Sequence, residues 1–398
     1  MEELSTDILV IGAGVAGAAV AASLKGSGFR ITVVEPRSPG HDSHRGDTLY
    51  PASIKILDEW KALPLIMQKG ALKFRKIAVM NQERALVEVD MASVSSAFPY
   101  GIVLDHALIE DALLEFAQTD KLQLLRGFAL QEVLVARDGV HGAVVAGQGT
   151  KYLVRSKLII GADGRNSTVR EAMGIKAEYA EYGKDWVASC MPVAEGSFAG
   201  ICLFIKPGEA LLAEPLPPGN RLRVSIQRPG GSAQEWITKS PEEKHEYIAS
   251  FSPQLAKASP VFEEENIYLL KSKNSPKYWA NRAVIVGDAA HEAHPISSHG
   301  MLMAIFDAYA LSVALGNSLE NLEAKLAKYE SVSRPVATKI IRHSSAFAKF
   351  LTRQPDKKPG QSTNSMKSVK TNLQRHFSVF KRLISEKTYD SELKKRGG

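Results

Sequence analysis

The chain has 398 residues, 44% of them hydrophobic and 23% charged, with a formal net charge of +7. That length predicts two or three domains and a core that stands without covalent staples. Its two cysteines, Cys190 and Cys202, exclude a disulfide framework, and no Cys/His spacing suits a metal, so none is expected. The basic balance is local: residues 352–398 hold 12 basic and 4 acidic side chains, net +8, which leaves residues 1–351 at −1. The body therefore carries no electrostatic footprint for nucleic acid, and no such partner is expected. The acidic start (Glu2, Glu3, Asp7) lacks the basic region of a secretion signal. No uninterrupted apolar run reaches the roughly 18 residues that a membrane span needs. A cytoplasmic address is expected.

Residues 7–12 form a branched apolar run ending at glycine and predict a buried parallel strand. Residues 15–25 predict a helix stopped by Gly26-Ser27-Gly28, and residues 30–35 a second strand, so the chain opens with a right-handed βαβ unit. A helix is expected at 51–62, two antiparallel strands within 74–89, and a helix at 105–118, where Leu108, Ala112, Leu113 and Phe116 recur at helical spacing. Short strands follow at 122–125, 130–136, 139–146 and 157–161. Between 179 and 270 the texture changes to strands at 186–192, 200–205 and 221–227, one helix at 241–251, and dense proline (Pro207, Pro215, Pro217, Pro218, Pro229). Residues 282–287 return to the buried-strand texture, and two long helices follow at 300–319 and 322–351, interrupted at Arg334-Pro335. The expected class is α/β. A Rossmann-like dinucleotide-binding domain would be assembled from 1–72, 101–178 and 271–351. An antiparallel substrate domain from 73–100 and 179–270 would be inserted in it, with a basic tail over 352–398.

Three segments carry chemistry. Gly12-Ala13-Gly14-Val15-Ala16-Gly17 joins the first strand to the first helix: Gly12 makes the tight turn, Gly14 admits a pyrophosphate, and Gly17, with Ala16 beside it, allows close helix–strand packing. Glu35 ends the second strand 18 residues after Gly17, where a carboxylate accepts ribose hydroxyls and repels a 2′-phosphate. Gly161-Ala162-Asp163-Gly164-Arg165 is a strand end and turn. Val284 to His291 (VIVGDAAH) is another, with Asp288 at its carboxyl edge, followed by His294-Pro295 and by Gly300 opening a helix. A strand-end aspartate can bind a polyol, and a helix N-terminus can face an electron-rich ring.

In this order and spacing the three segments resemble the single-component FAD-dependent aromatic hydroxylases of the para-hydroxybenzoate hydroxylase fold, the class A flavoprotein monooxygenases. The likeness covers roughly residues 5–351. It implies that Gly12, Gly14, Gly17 and Glu35 hold the ADP half of FAD, with Arg45 near the pyrophosphate. It links Asp163 to FAD and NAD(P)H, sets Asp288 on the ribityl chain, and lines the isoalloxazine with Pro295 and Gly300. NAD(P)H would bind transiently as the electron donor, since no second dinucleotide fingerprint exists. O2 and a small aromatic substrate complete the implied reaction, with oxygen transferred from a flavin C4a-hydroperoxide. The chain departs from the family in Ser298-His299-Gly300-Met301-Leu302, where His299 and Leu302 replace commoner residues, and at Asp105, which is expected to cap the helix after it. The Pro295 to Met301 run also resembles flavoenzymes acting on bicyclic rings such as quinolones. Two alternatives stand beside this reading: an isoprenoid-quinone hydroxylase or prenyl reductase at a membrane surface, and a non-catalytic protein on an FAD fold.

His299 and His294 flank the expected flavin face and are the candidate catalytic groups, since either could titrate near neutrality. The blander alternative for His299 is a solvent-facing or backbone-bonded ring, and His291 is expected to fix its loop. Trp186, Phe204 and Arg223 are candidate substrate contacts on strands of the β-rich insertion, where sheet faces are not assigned. In the tail, Leu373, Phe377, Phe380 and Leu383/Ile384 fall at helical spacing. That basic amphipathic helix either packs back on the enzyme, the favoured reading, or makes weak membrane-surface contact.

Overall fold

A computed structural model describes residues 1–38, 48–136, 139–351 and 362–397. The opening βαβ unit seeds a six-stranded sheet in the order Trp279–Ala280, Ala283–Ile285, Leu158–Gly161, Ile8–Ile11, Ile31–Glu35, Leu122–Arg126, parallel except at its first pair. Ile8–Ile11 and Leu158–Gly161 are buried at every position, because the Val15–Ser23 helix and the Gly139–Gly147 strand of a second sheet both pack on this sheet. The Val15–Ser23 helix is Ala-rich and almost wholly buried, and it packs between the His106–Ala117 and Gly300–Leu315 helices. Its small side chains permit that close approach.

A four-stranded sheet flanks this core in the order Glu2–Ser5, Thr150–Arg155, Gly139–Gly147, Ala129–Ala136. Its edge strand Glu2–Ser5 runs parallel to Thr150–Arg155 and has no apolar signal in the sequence. An eight-stranded sheet runs His291–Glu292, Glu263–Asn274, Tyr179–Pro192, Arg221–Pro229, Glu209–Leu216, Ile201–Lys206, Lys76–Asn81, Arg84–Asp90. It has two faces with different partners. Val187, Met191, Phe204, Leu211 and Val224 pack with Trp236, Phe251 and Leu255 in a separate cluster. Trp186, Cys190, Leu203 and Leu212 belong to the main core. Alternation along each strand produces this split.

The Leu322–Leu351 helix runs unbroken through Pro335, contrary to the expected interruption. An internal proline costs about 3 kcal/mol, and the buried stripe of Val332, Val336 and Ile340 continues across it. The tail forms Ser362–Ile384 and Glu386–Gly397, and Leu373, Phe377, Phe380 and Ile384 are buried against the body. Arg375, Arg382 and Lys387 stay exposed. Lys55 to Asp390 and Lys339 to Glu392, both 2.5 Å, tie the last helix down. No helix among the described residues is long and apolar enough to cross a membrane.

Candidate active site

The three motifs meet at the carboxyl ends of three adjacent parallel strands. Ala162 N–H donates to Ile11 O at 2.8 Å and Val286 N–H to Gly161 O at 3.0 Å, which holds the turns side by side. Gly12 sits at φ +97°, and a Cβ there would lie 2.4 Å from Ala162 O. A Cβ on Gly17 would lie 1.9 Å from Gly12 O. Both glycines are thus required by packing, and the turn between them keeps its backbone bare. Gly14 is the N-cap of the Val15–Ser23 helix. Ala16 meets the third motif: a Cβ on Gly287, at φ +58°, would lie 2.7 Å from Ala16 Cβ.

Glu35 is 3% exposed. Its Oε2 accepts Ala13 N–H at 2.7 Å, and its Oε1 accepts Arg37 N–H at 2.9 Å and Arg37 Nε at 2.7 Å. Burial pushes its pKa up, but the Arg37 and Ala13 hydrogen bonds outweigh burial and hold it below the usual range. Arg37 also pairs with Glu110 at 3.3 Å. Burial drives the Glu110 carboxyl up to about 7 against the pull of Arg37. Sequence reading missed both residues: a glutamate on an amphipathic helix and an arginine after a strand carry no signal of their meeting.

In the second motif, Asp163 Oδ2 accepts Val169 N–H at 3.1 Å, while its buried Oδ1 has no hydrogen-bond partner among the described residues. Burial raises its pKa. In the third, Asp307 of the Gly300–Leu315 helix accepts Gly287 N–H at 2.8 Å and His291 Nε2 at 2.6 Å, so His291 fixes the loop that presents Asp288. Burial lowers the His291 pKa, and Asp307 more than reverses this. Asp105 occupies the N-cap position of the His106–Ala117 helix without a capping side-chain bond. Arg45 lies outside the described residues.

Pro295–Ser297 forms one short turn, after which Ser298 at φ 48° reverses the chain into Gly300–Leu315. A Cβ on Gly300 would meet nothing within 4 Å. His294 Nδ1 accepts Ile296 N–H at 3.2 Å, and its ring meets the edges of Tyr182 at 4.7 Å and Trp186 at 5.9 Å. His299 is packed between Tyr50 at 5.5 Å and Phe380 at 5.3 Å. Neither His299 nitrogen, nor His294 Nε2, has a hydrogen-bond partner among the described residues. The expectation that these histidines titrate near neutrality is corrected here: burial pushes both pKa values down to about 3. His299 is also buried and not solvent-facing.

The sheet faces can now be assigned. Trp186 and Arg223 lie on the main-core face, Arg223 directly across from Cys190 and Glu214. Phe204 points to the opposite face and packs in the separate cluster, so its proposed substrate contact is corrected. Its neighbour Leu203 instead lines a small, mostly apolar cavity. Ile77, Ile201 and Leu212 line the sheet side of that cavity, Tyr50 and Ser298 another side, and Phe377 and Phe380 of the C-terminal helix close it.

A bare glycine turn, a buried strand-end carboxylate, an orphaned aspartate oxygen and a helix N-terminus, all at one sheet edge, fit FAD. A family model described as an FAD binding domain matches residues 5–344. The chain belongs to this family. It is 24% identical over 320 residues to 6-methylpretetramide 4-monooxygenase of Streptomyces rimosus, covering 79% of this chain and 76% of that one. It is also 24% identical over 340 residues to 3-demethoxyubiquinol 3-hydroxylase of Escherichia coli, covering 81% and 83%. Pseudomonas aeruginosa PqsL, solved in complex with 2-aminobenzoylacetate, superposes with a TM-score of 0.81 at 23% identity, covering 93% of this chain and all of that one. This FAD-dependent flavoprotein is thus a monooxygenase of the class A aromatic type.

Proposed function

We propose that this flavoprotein hydroxylates a small aromatic or heteroaromatic molecule in the cavity beside Tyr50 and Ser298, with electrons from NAD(P)H and oxygen from O2. The observation that carries this reading is the cavity itself: mostly apolar walls, a few hydroxyls and imidazoles, and a place next to the Pro295–Ser297 turn. Bound FAD supplies the reduction of dioxygen and the delivery of one oxygen atom. Gly12, Gly14, Gly17, Glu35, Asp163 and Asp288 would hold it, with Pro295 and Gly300 along its ring system. The protein's own contribution is shielding and orientation. Ile201, Leu203, Leu212 and Phe380 exclude water, while Tyr50 and Ser298 offer hydroxyls that orient a polar substituent. His299 and His294, neutral at physiological pH, would not act as general bases, and the imidazoles that line the cavity are those of His343 and His376.

The test is direct. Purified protein should be yellow, and a panel of phenols and aryl amines should contain members that accelerate NADH or NADPH oxidation with product formed. If FAD-loaded protein shows no stimulation by any aromatic ligand, the reading is lost. A second reading, a quinone-head substrate, rests on the likeness to the ubiquinol hydroxylase of Escherichia coli and on the exposed basic face of the C-terminal helix. Co-sedimentation with anionic vesicles, together with turnover of a short-chain quinol, would favour it.

A further inference from the structure

One buried acid beside the cavity belongs to none of the cofactor motifs. Glu214 lies on the Glu209–Leu216 strand, two residues from the cavity-lining Leu212 and therefore on the same face. It is 3% exposed. A lone buried carboxylate destabilises a fold unless it is hydrogen-bonded. Thr48 Oγ1 donates to its Oε1 at 2.9 Å, and Ser298 Oγ donates to the same oxygen at 3.4 Å. Ser298 lines the cavity and holds φ 48°, ψ 38°, a left-handed conformation that glycine adopts more readily. The hydroxyl thus stands at a strained position, between cavity and carboxylate. Tyr50 OH donates to Ser297 O at 3.2 Å, and its phenol also contacts the Ser298 hydroxyl.

We propose that Glu214 is the terminal proton acceptor of the cavity, reached through Ser298, for an aromatic substrate bearing an ionisable O–H or N–H. This rests on the aromatic-hydroxylase reading above. The substrate X–H bond breaks and its proton passes to Ser298 Oγ, while the original Ser298 O–H proton passes to Glu214 Oε1. The substrate keeps the electron pair and becomes more nucleophilic, Ser298 is restored, and Glu214 ends as a neutral acid. Nothing is oxidised or reduced. Glu214 acts through Ser298 and is a positioning residue, whereas Ser298 touches the substrate. Around Glu214 stand Thr48, Ser298 and Tyr50, with His299 beyond Tyr50 and Arg223 across the strand pair. Burial raises the Glu214 pKa against the two hydroxyl donors, which makes its ionised form a stronger base.

The probe is 4-nitrophenol, whose phenol and phenolate absorb differently, added to oxidised FAD-loaded protein without reductant. Because probe and Glu214 share protons, the bound phenolate band of the wild type should grow in two pH steps. Glu214→Gln, which can still accept both hydroxyls, should reduce this to one step. Ser298→Gly suits the left-handed backbone and deletes only the hydroxyl. It should keep the end point but slow ionisation after a pH jump by at least about tenfold. A single, unchanged step in wild type and Glu214→Gln, both with full FAD occupancy, overturns the relay. If Glu214→Gln fails to take up FAD, Ser298→Gly decides: an unslowed pH jump overturns the relay equally. A wild type that binds FAD but gives no difference spectrum with the probe overturns the relay in this cavity, whereas the aromatic-substrate reading stands or falls by the ligand panel above.

Discussion

Single residues carry the cofactor site by what they lack or withhold. Gly17 has no room for a methyl group, since its Cβ would overlap Gly12 O at 1.9 Å. Gly17→Ala is expected to abolish FAD uptake, read as loss of yellow colour, because backbone and not a flexible side chain would have to move. Asp288→Ala should sharply lower FAD occupancy while leaving far-UV circular dichroism unchanged; full occupancy would contradict its assigned role. Glu110 offers a pH test with a definite sign. Its folded pKa of about 7 exceeds the ordinary 4.5, so the fold keeps a proton that the unfolded chain has released. That contribution is complete below pH 4.5 and lost as pH rises to about 7. Urea unfolding of FAD-free wild type should therefore lose about 3 kcal/mol across this window relative to Glu110→Gln. Equal slopes in the two proteins would refute the shift.

At the scale of elements, the C-terminal helix decides whether the cavity is closed. Phe380 is 6% exposed, packs edge-on against Tyr50 at 5.5 Å, and lines the cavity with Phe377. Phe380→Ala should cost about 3–5 kcal/mol in a denaturant titration. It should also open the cavity to water, seen as NAD(P)H oxidation that no longer yields hydroxylated product in proportion. The helical apolar spacing of that segment was legible in the sequence, and so was its basic face. Its docking site was not, because the complementary surface comes from residues near 50, 300 and 340, far away along the chain. The Glu209–Leu216 strand was hidden for another reason: prolines at 207, 215, 217 and 218 mask its alternation. Glu214 was hidden with it.

Across the whole molecule, the proposed cofactor site draws on strands beginning at residues 8, 158 and 283. FAD should therefore stabilise the fold globally and not one segment. At about 100 times its Kd it should add about 2.7 kcal/mol, measurable as a rise in Tm that Asp288→Ala largely removes. The α/β class, the glycine turn, the carboxylate after the second strand and the two later strand-end aspartates could all be read from the chain, since each is a local pattern of spacing and residue type. Local pattern also identified the histidines at 294 and 299. It failed on their chemistry, because protonation depends on the surrounding dielectric, and both rings are enclosed by aromatic side chains from other elements. It failed likewise on Phe204, where a strand's alternation marks two faces without saying which one meets the main core. Sequence by itself determined the family and the cofactor. Tertiary structure alone decided which side chains line the cavity, which acid stands behind Ser298, and which imidazoles stay neutral, for burial and long-range contact are properties of the packed chain.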